Sequence, residues 1–183
     1  FFIIRYKSKN SKSLSLDNKF YKELTIENED DKIRQYILIK NCKLVICYQG
    51  GIIGYDYICK TPFLLINAIP FNINALIKNS DRLILKKFYS EKKKSFLSVK
   101  EIIDKDLHIK IDFNFLRKKK IKIVENSSKE ILLAIKEIIN LKKIKENKKM
   151  ERYFPDQFPF LYSDAQICNM FINRNPGMFK LLN

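Results

Sequence analysis

Histidine is nearly missing from this chain: His108 is the single one in 183 residues. The four cysteines, Cys42, Cys47, Cys59 and Cys168, form no C-x-x-C pair and no zinc spacing with it, which removes the common small zinc-bound folds. Three of the four sit in apolar strand or helix contexts and read as reduced core cysteines of a cytosolic protein. His108, flanked by Leu107 and Ile109, reads as structural rather than catalytic. Long apolar runs are also lacking. None reaches the roughly 18 residues a membrane helix needs, because Gln49, Asp56 and Lys60 interrupt the longest one. No signal-peptide pattern is visible. These absences point to the cytoplasm, with contact to an inner membrane limited to a peripheral one.

Tryptophan is absent, glycine occurs four times, and acidic residues number 20 against 36 lysines and arginines, giving a net charge of +16. Lysine, isoleucine and asparagine dominate, the pattern of a very AT-rich coding sequence. Most of the positive charge is therefore read as solvated lysine without a partner. The competing reading is a nucleic-acid binder, since such a surface attracts polyanions. Against it, the charge is scattered through loops and no recognised motif interleaves aromatics with it. With 46% apolar residues the chain has the material for one domain with a good core. It does not begin with Met, and Phe1 to Tyr6 (FFIIRY) reads as a buried strand, so the expectation is a start inside a longer protein.

What is present is organised around Lys43 to Ala68. Leu44 to Tyr48 is a buried strand by its apolar run, Gln49-Gly50-Gly51 breaks it, and a short helical stretch covers roughly Ile53 to Lys60. Thr61-Pro62 resets the chain, and Phe63 to Asn67 is a second buried strand. Two strands joined by a crossover helix should lie parallel and adjacent. A Gly-Gly turn opening a helix lets the backbone approach a ligand, and free N–H groups at a helix start favour an anion. Without a ligand it is an ordinary tight turn.

Elsewhere the patterns are helical or strand-like in short pieces. Asp30 to Asn41 is an amphipathic helix with Ile33, Tyr36 and Ile37 on its apolar face. Phe20 to Leu24 and Ile121 to Val124 are short strands, and Arg82 to Leu85 is a brief apolar run. Ser98 to Glu101 and Ser127 to Glu130 are capping boxes, and Ser163 to Gln166 is a third candidate. The helix after Ser127 places Ile131, Leu132, Ile135, Ile138 and Ile139 on one side. Lys142 to Arg152 is a basic extension, Tyr153 to Phe160 an aromatic crossing segment, and Asp164 to Asn173 a last helix before Asn175-Pro176-Gly177.

The ordered motifs resemble those of a bacterial family of GT-B-like glycosyltransferases. The family's "Cys-Lys/Arg-Phe-Phe-Ile-Gly-Thr-x-Ser-Gly" strand and turn is matched by Cys42-Lys43-Leu44-Val45-Ile46-Cys47-Tyr48-Gln49-Gly50-Gly51. Its "Pro-x-x-x-x-Asn-x-x-Pro" is matched by Pro62, Asn67 and Pro70. A lysine pair, a "Phe-x-Ser/Thr-x-x-Glu-Ile" stretch and a "Phe-x-x-x-Asn-Pro" ending correspond to Lys86-Lys87, Phe96 to Ile102 and Phe171 to Pro176. Tyr48 and Gly50 stand where the family has Thr and Ser, so two hydroxyls are lost.

The resemblance implies an α/β fold: a Rossmann-like parallel sheet with helices on both faces, like the C-terminal domain of a GT-B enzyme. On that reading residues 1–183 form one nucleotide-sugar-binding domain, residues 150–183 its crossing segment and helix, and an N-terminal acceptor domain is missing. It further implies a nucleotide-sugar donor, a glycan, lipid or protein acceptor, and no cofactor or metal. The donor would meet the N–H groups of Gly50, Gly51 and Ile52, the side chain of Asn67, and the cations Arg5 and Lys86. Arg5 matches a family "Val-Ile-Arg", expected at the carboxyl end of the first strand, where an arginine can grip a phosphate. The general base would come from the other domain. The alternatives are the nucleic-acid binder and an inactive, degenerate copy.

Overall fold

The computed structural model describes residues 2–7, 9–14, 16–69, 76–107, 111–140 and 165–180. The chain divides into two compact units, Phe1–Cys42 and Lys43–Asn183.

In the first unit, β1 (Ile3–Lys7) pairs in parallel with β2 (Tyr21–Thr25), Ile3 opposite Tyr21 and Lys7 opposite Thr25. β1 is a strand, as its apolar start suggests, but it is not buried: Phe2 and Ile3 are both more than half exposed. Glu23 ties the pair to the loop before it, accepting bonds from Arg5 Nη1, from the Leu14 N–H at 2.9 Å and from the Tyr21 hydroxyl at 2.7 Å. Helix α1 (Glu29–Asn41) starts where expected, with the Asn28 side chain accepting from Asp31 N and three acidic residues in the first turn. Its buried residues are Gln35 and Ile39, while Ile33 and Ile37 are half exposed or more. The apolar face inferred from spacing is thus the wrong one, and Gln35 holds an inward position.

The second unit carries a four-stranded parallel sheet in the order β3-β4-β5-β9. β3 (Val45–Cys47) lies beside β4 (Phe63–Ala68), Val45 opposite Phe63 and Cys47 opposite Leu65, as the crossover argument requires. β5 (Arg82–Leu85) follows in parallel. Every residue of β4 and β5 is buried, so both faces of these central strands are covered. β9 (Gln166–Ile167) forms the far edge. It occupies residues expected to open the last helix, so Gln166 is a strand residue and not the third position of a capping box.

After β5 the chain leaves this sheet. β6 (Lys87–Ser90) follows Lys86 directly and joins an antiparallel sheet, β7-β6-β8, with β7 (Ser95–Phe96) and β8 (Ile121–Val124). Ile121–Val124 was expected to extend the parallel sheet. It pairs antiparallel with β6 instead, Lys87 opposite Val124 and Ser90 opposite Ile121. The reason is the uninterrupted Arg82–Ser90 stretch, whose second half presents a new edge.

Both capping boxes form, Ser98 with Glu101 on α2 (Val99–Ile103) and Ser127 with Glu130 on α4 (Ser128–Ile139). The basic run Arg117–Lys120 is the end of a helix, α3 (Phe113–Lys119), capped by Asp112 and closed by Lys120 in the left-handed region, φ 54°. α4 packs on β4 and β5, and α5 (Asn169–Arg174) packs on α4. The buried face of α4 is Glu130, Ala134, Glu137 and Ile138, whereas Leu132 and Ile139 are largely exposed. No described helix is long and apolar enough to cross a membrane. His108, Pro70, Lys142 to Arg152, Tyr153 to Phe160 and the Ser163-Asp164 pair lie outside the described residues.

Candidate functional site

Parallel strands present their carboxyl ends together, and ligands of open α/β sheets bind there. In the second unit that edge is built by three chain segments. Gln49 follows β3, and its side-chain Oε1 accepts from the Ile69 N–H at 2.9 Å, holding the Gly-Gly turn against the end of β4. Asn67, in β4, adopts φ 53°, a conformation that asparagine tolerates better than most residues. Asn67 and Asn126 exchange bonds: Asn67 N donates to Asn126 Oδ1 at 2.6 Å, and Asn126 N donates to Asn67 Oδ1 at 2.7 Å. Asn126 Nδ2 also donates to the Leu85 carbonyl at 2.8 Å. One asparagine thereby joins the ends of β4 and β5 to the residue before α4. Since α4 starts here and its Glu137 meets Arg82 at the start of β5, α4 runs antiparallel to the strands, its N-terminus at the carboxyl edge.

Lys86 completes the edge. Its N–H bonds the Ala68 carbonyl at 3.1 Å, and its ammonium lies 3.4 Å from the exposed carboxylate of Glu125. The expected helix after the glycines is a seven-residue 3-10 helix, Gly51–Tyr57, so it offers the N–H groups of a turn in place of an α-helix dipole. Ile53 N bonds Gly50 O at 3.1 Å; the N–H groups of Gly51 and Ile52 have no partner among the described residues. Gly50 has extended backbone, φ 168°, and no described glycine lies in the left-handed region. A Cβ at Gly50 or Gly51 would meet nothing within 4 Å. The fold therefore does not require glycine here; what the pair provides is bare backbone facing open space.

Of the residues anticipated from sequence, Gly50, Gly51, Ile52, Asn67 and Lys86 come to this one edge. Asn67 Oδ1 and N–H are engaged in the clasp, so Asn67 shapes the edge. Arg5 belongs to the first unit, in the middle of β1 rather than at its end, with Nη1 bonded to Glu23 and to the Lys12 carbonyl at 3.1 Å. Sequence reading missed Asn126 and the side chain of Gln49. Asn126 stands directly before the Ser127 capping box, the one clue to its position.

Beneath the edge lie two buried ion pairs. Lys87, noted in sequence as half of a lysine pair, is buried with Nζ 2.8 Å from both oxygens of Glu130. Burial works to raise the Glu130 pKa, but Lys87, the Ser127 N–H and Asn175 together hold it below the ordinary glutamate value. At the other end of α4, Glu137 accepts from Asn169 N at 2.9 Å and Met170 N at 2.8 Å, with Arg82 Nε at 3.5 Å. Among the described residues no group of three or more His, Cys, Asp or Glu could hold a metal ion. No disulfide joins the cysteines; Cys42 is exposed and the other three are buried. Burial pushes the Cys47 thiol up to about 12, which leaves it unreactive.

The chain matches no protein-family model, no curated protein and no solved structure.

Proposed function

We propose that the second unit binds a nucleotide-activated sugar at the carboxyl edge of its parallel sheet, as the nucleotide-binding half of a glycosyltransferase. The observation that carries this is that the same carboxyl edge holds the unpartnered N–H groups of Gly51 and Ile52 after β3 and the Lys86 ammonium after β5, with β4 between them. Backbone N–H groups and a nearby cation suit a diphosphate, and they would stabilise the charge that grows on a departing nucleotide. The α4 N-terminus at the same edge adds a favourable dipole. Glu125 is the residue that a phosphate would displace from Lys86. The reading extends to the resembled family's Rossmann-like GT-B architecture, with the acceptor and general base supplied by another domain.

The test is calorimetric titration of the full chain with nucleoside diphosphates and their sugars, beside Gly51→Val. Gly51 is exposed, lies outside the left-handed region, and a Cβ there meets nothing within 4 Å. The variant should therefore unfold within about 0.5 kcal/mol of the parent, and binding should still be lost. Undiminished binding in Gly51→Val puts the site elsewhere. No nucleotide binding by the parent favours the inactive copy, in keeping with Tyr48 and Gly50 at the places of the family's hydroxyls.

A further inference from the structure

Part of the charge that looks scattered in sequence comes together in space. Glu91 N bonds the Lys120 carbonyl at 2.9 Å, which sets the β6–β7 turn against the end of α3; of its exposed Lys92, Lys93 and Lys94, Lys93 is paired with Glu101. Between α3 and β8 lies a pocket of about 370 Å³, floored by Leu116, Ile121 and Ile123. Phe113 stands at its wall with 69% of its surface exposed, an unusual position for a phenylalanine. Arg117, one turn further along the same helix face, and Lys120 line it too. Neither makes a side-chain hydrogen bond or ion pair among the described residues. The lining also holds one carboxylate, Glu91, which pairs with Lys122 at 2.5 Å and whose pKa is lowered by Lys122 first and also by the charge of Lys120.

We propose that this face binds single-stranded nucleic acid, with one base against the ring of Phe113 and the flanking phosphates on Arg117 and Lys120. An exposed aromatic surface beside a surplus of cations, here Arg117, Lys120 and Lys122 against the single carboxylate of Glu91, is the arrangement that holds unpaired strands, because every base has a face to stack and every linkage a negative charge. A duplex keeps its bases stacked on each other and has none to offer Phe113. A flat lipid surface does not fill a concave pocket. The face is also distinct from the proposed nucleotide-sugar edge. The pocket reaches along β8 as far as Ile123, and Asn126 at the edge comes three residues later, ~10 Å of extended chain.

The experiment is fluorescence anisotropy of the full chain with a labelled oligouridylate of about a dozen nucleotides, a length within the usual site sizes. Competitors are a duplex of equal length, uridine monophosphate and a sulfated oligosaccharide. The strand should bind at low salt and outcompete all three. Phe113→Ala, a change at an exposed position, should weaken it about tenfold, and Phe113→Tyr should restore it. Arg117→Gln should flatten the slope of log affinity against log salt by ~0.7, the loss of one phosphate contact to a single strand. Gly51→Val should leave strand binding unchanged, which separates this site from the nucleotide-sugar edge. Equal affinity of Phe113→Ala, equal binding of the sulfated sugar, saturation by the mononucleotide with no gain from the strand, or no binding at low salt would each overturn the proposal.

Discussion

Glu137→Ala tests whether the buried charges of α4 hold the end of the chain in place. The Glu137 side chain is fully buried; it accepts from the N–H groups of Asn169 and Met170, which open α5, and forms an ion pair with Arg82, whose Nε lies 3.5 Å away without a hydrogen bond. Arg82 is itself only 4% exposed, and its Nη1 donates to the Asn79 and Asp81 carbonyls at 2.7 Å. Removing the carboxylate leaves a buried guanidinium without a counter-charge, a change that typically costs ~3–5 kcal/mol. It also orphans two backbone donors at ~1–3 kcal/mol each, with strong overlap between the terms because all three share one site. The expected loss is therefore about 4 kcal/mol or more. Glu137→Gln keeps the shape and one carbonyl oxygen but loses the charge, so it should cost ~1–3 kcal/mol. Urea unfolding followed by circular dichroism reads this directly. With a slope of ~2 kcal/mol per molar, the midpoint of Glu137→Ala should fall by ~2 M. Arg82→Met added to Glu137→Ala should cost little more, since it removes the stranded charge. A Glu137→Ala midpoint equivalent to within ~0.5 kcal/mol of the parent would refute the reasoning.

Two further perturbations address the clasp and the first unit. Asn67→Ala should lose the bond to the buried Asn126 N–H at ~1–3 kcal/mol and force alanine into φ 53° at ~1–2 kcal/mol. Asn67→Gly should lose only the bond, so in thermal melts glycine must be the milder change; equal melts would mean that the backbone there is unstrained. Glu23, held by the Leu14 N–H, then Tyr21 and Arg5, has its pKa lowered to about 2. Because the folded value lies below the unfolded value of ~4.3, its contribution is complete above that pH and fades as pH falls towards 2. A carbon-detected titration of the Glu23 carboxyl should show that low midpoint, and an ordinary one near 4.3 would break the assignment of its three donors.

The central strand pair was legible in the sequence because β4 is buried on both faces and so reads as an unbroken apolar run. The capping boxes were legible because they are local: serine and glutamate three residues apart report on one turn. What failed was whatever depended on partners far along the chain. Gln35 takes an inward place on α1 and Ile33 an outward one, against the periodic pattern. The inward glutamates of α4 are polar letters on the buried face, acceptable only because Lys87 and Arg82 arrive from other strands. No spacing within α4 shows that. β8 follows β6 for the same reason, since pairing depends on an edge that exists only after the chain crosses from one sheet to the other at Lys86.

The candidate edge shows the same division. The glycine turn and Lys86 could be read from residues, but their use depends on Asn126, which contributes geometry through its two side-chain atoms and its N–H. By fixing Asn67 and Leu85 together just before the Ser127 cap, Asn126 sets the α4 N-terminus at the carboxyl edge, while Lys87 and Arg82 secure the helix below. The ion pairs anchor Glu130 and Glu137 seven residues apart, about two turns, so both ends of α4 are fixed to the strand segment Arg82–Lys87. That arrangement ties the edge on one side, along α4 and β5. On the other side the Gly50-Gly51 backbone, bonded through Gln49 and Ile53, faces open space.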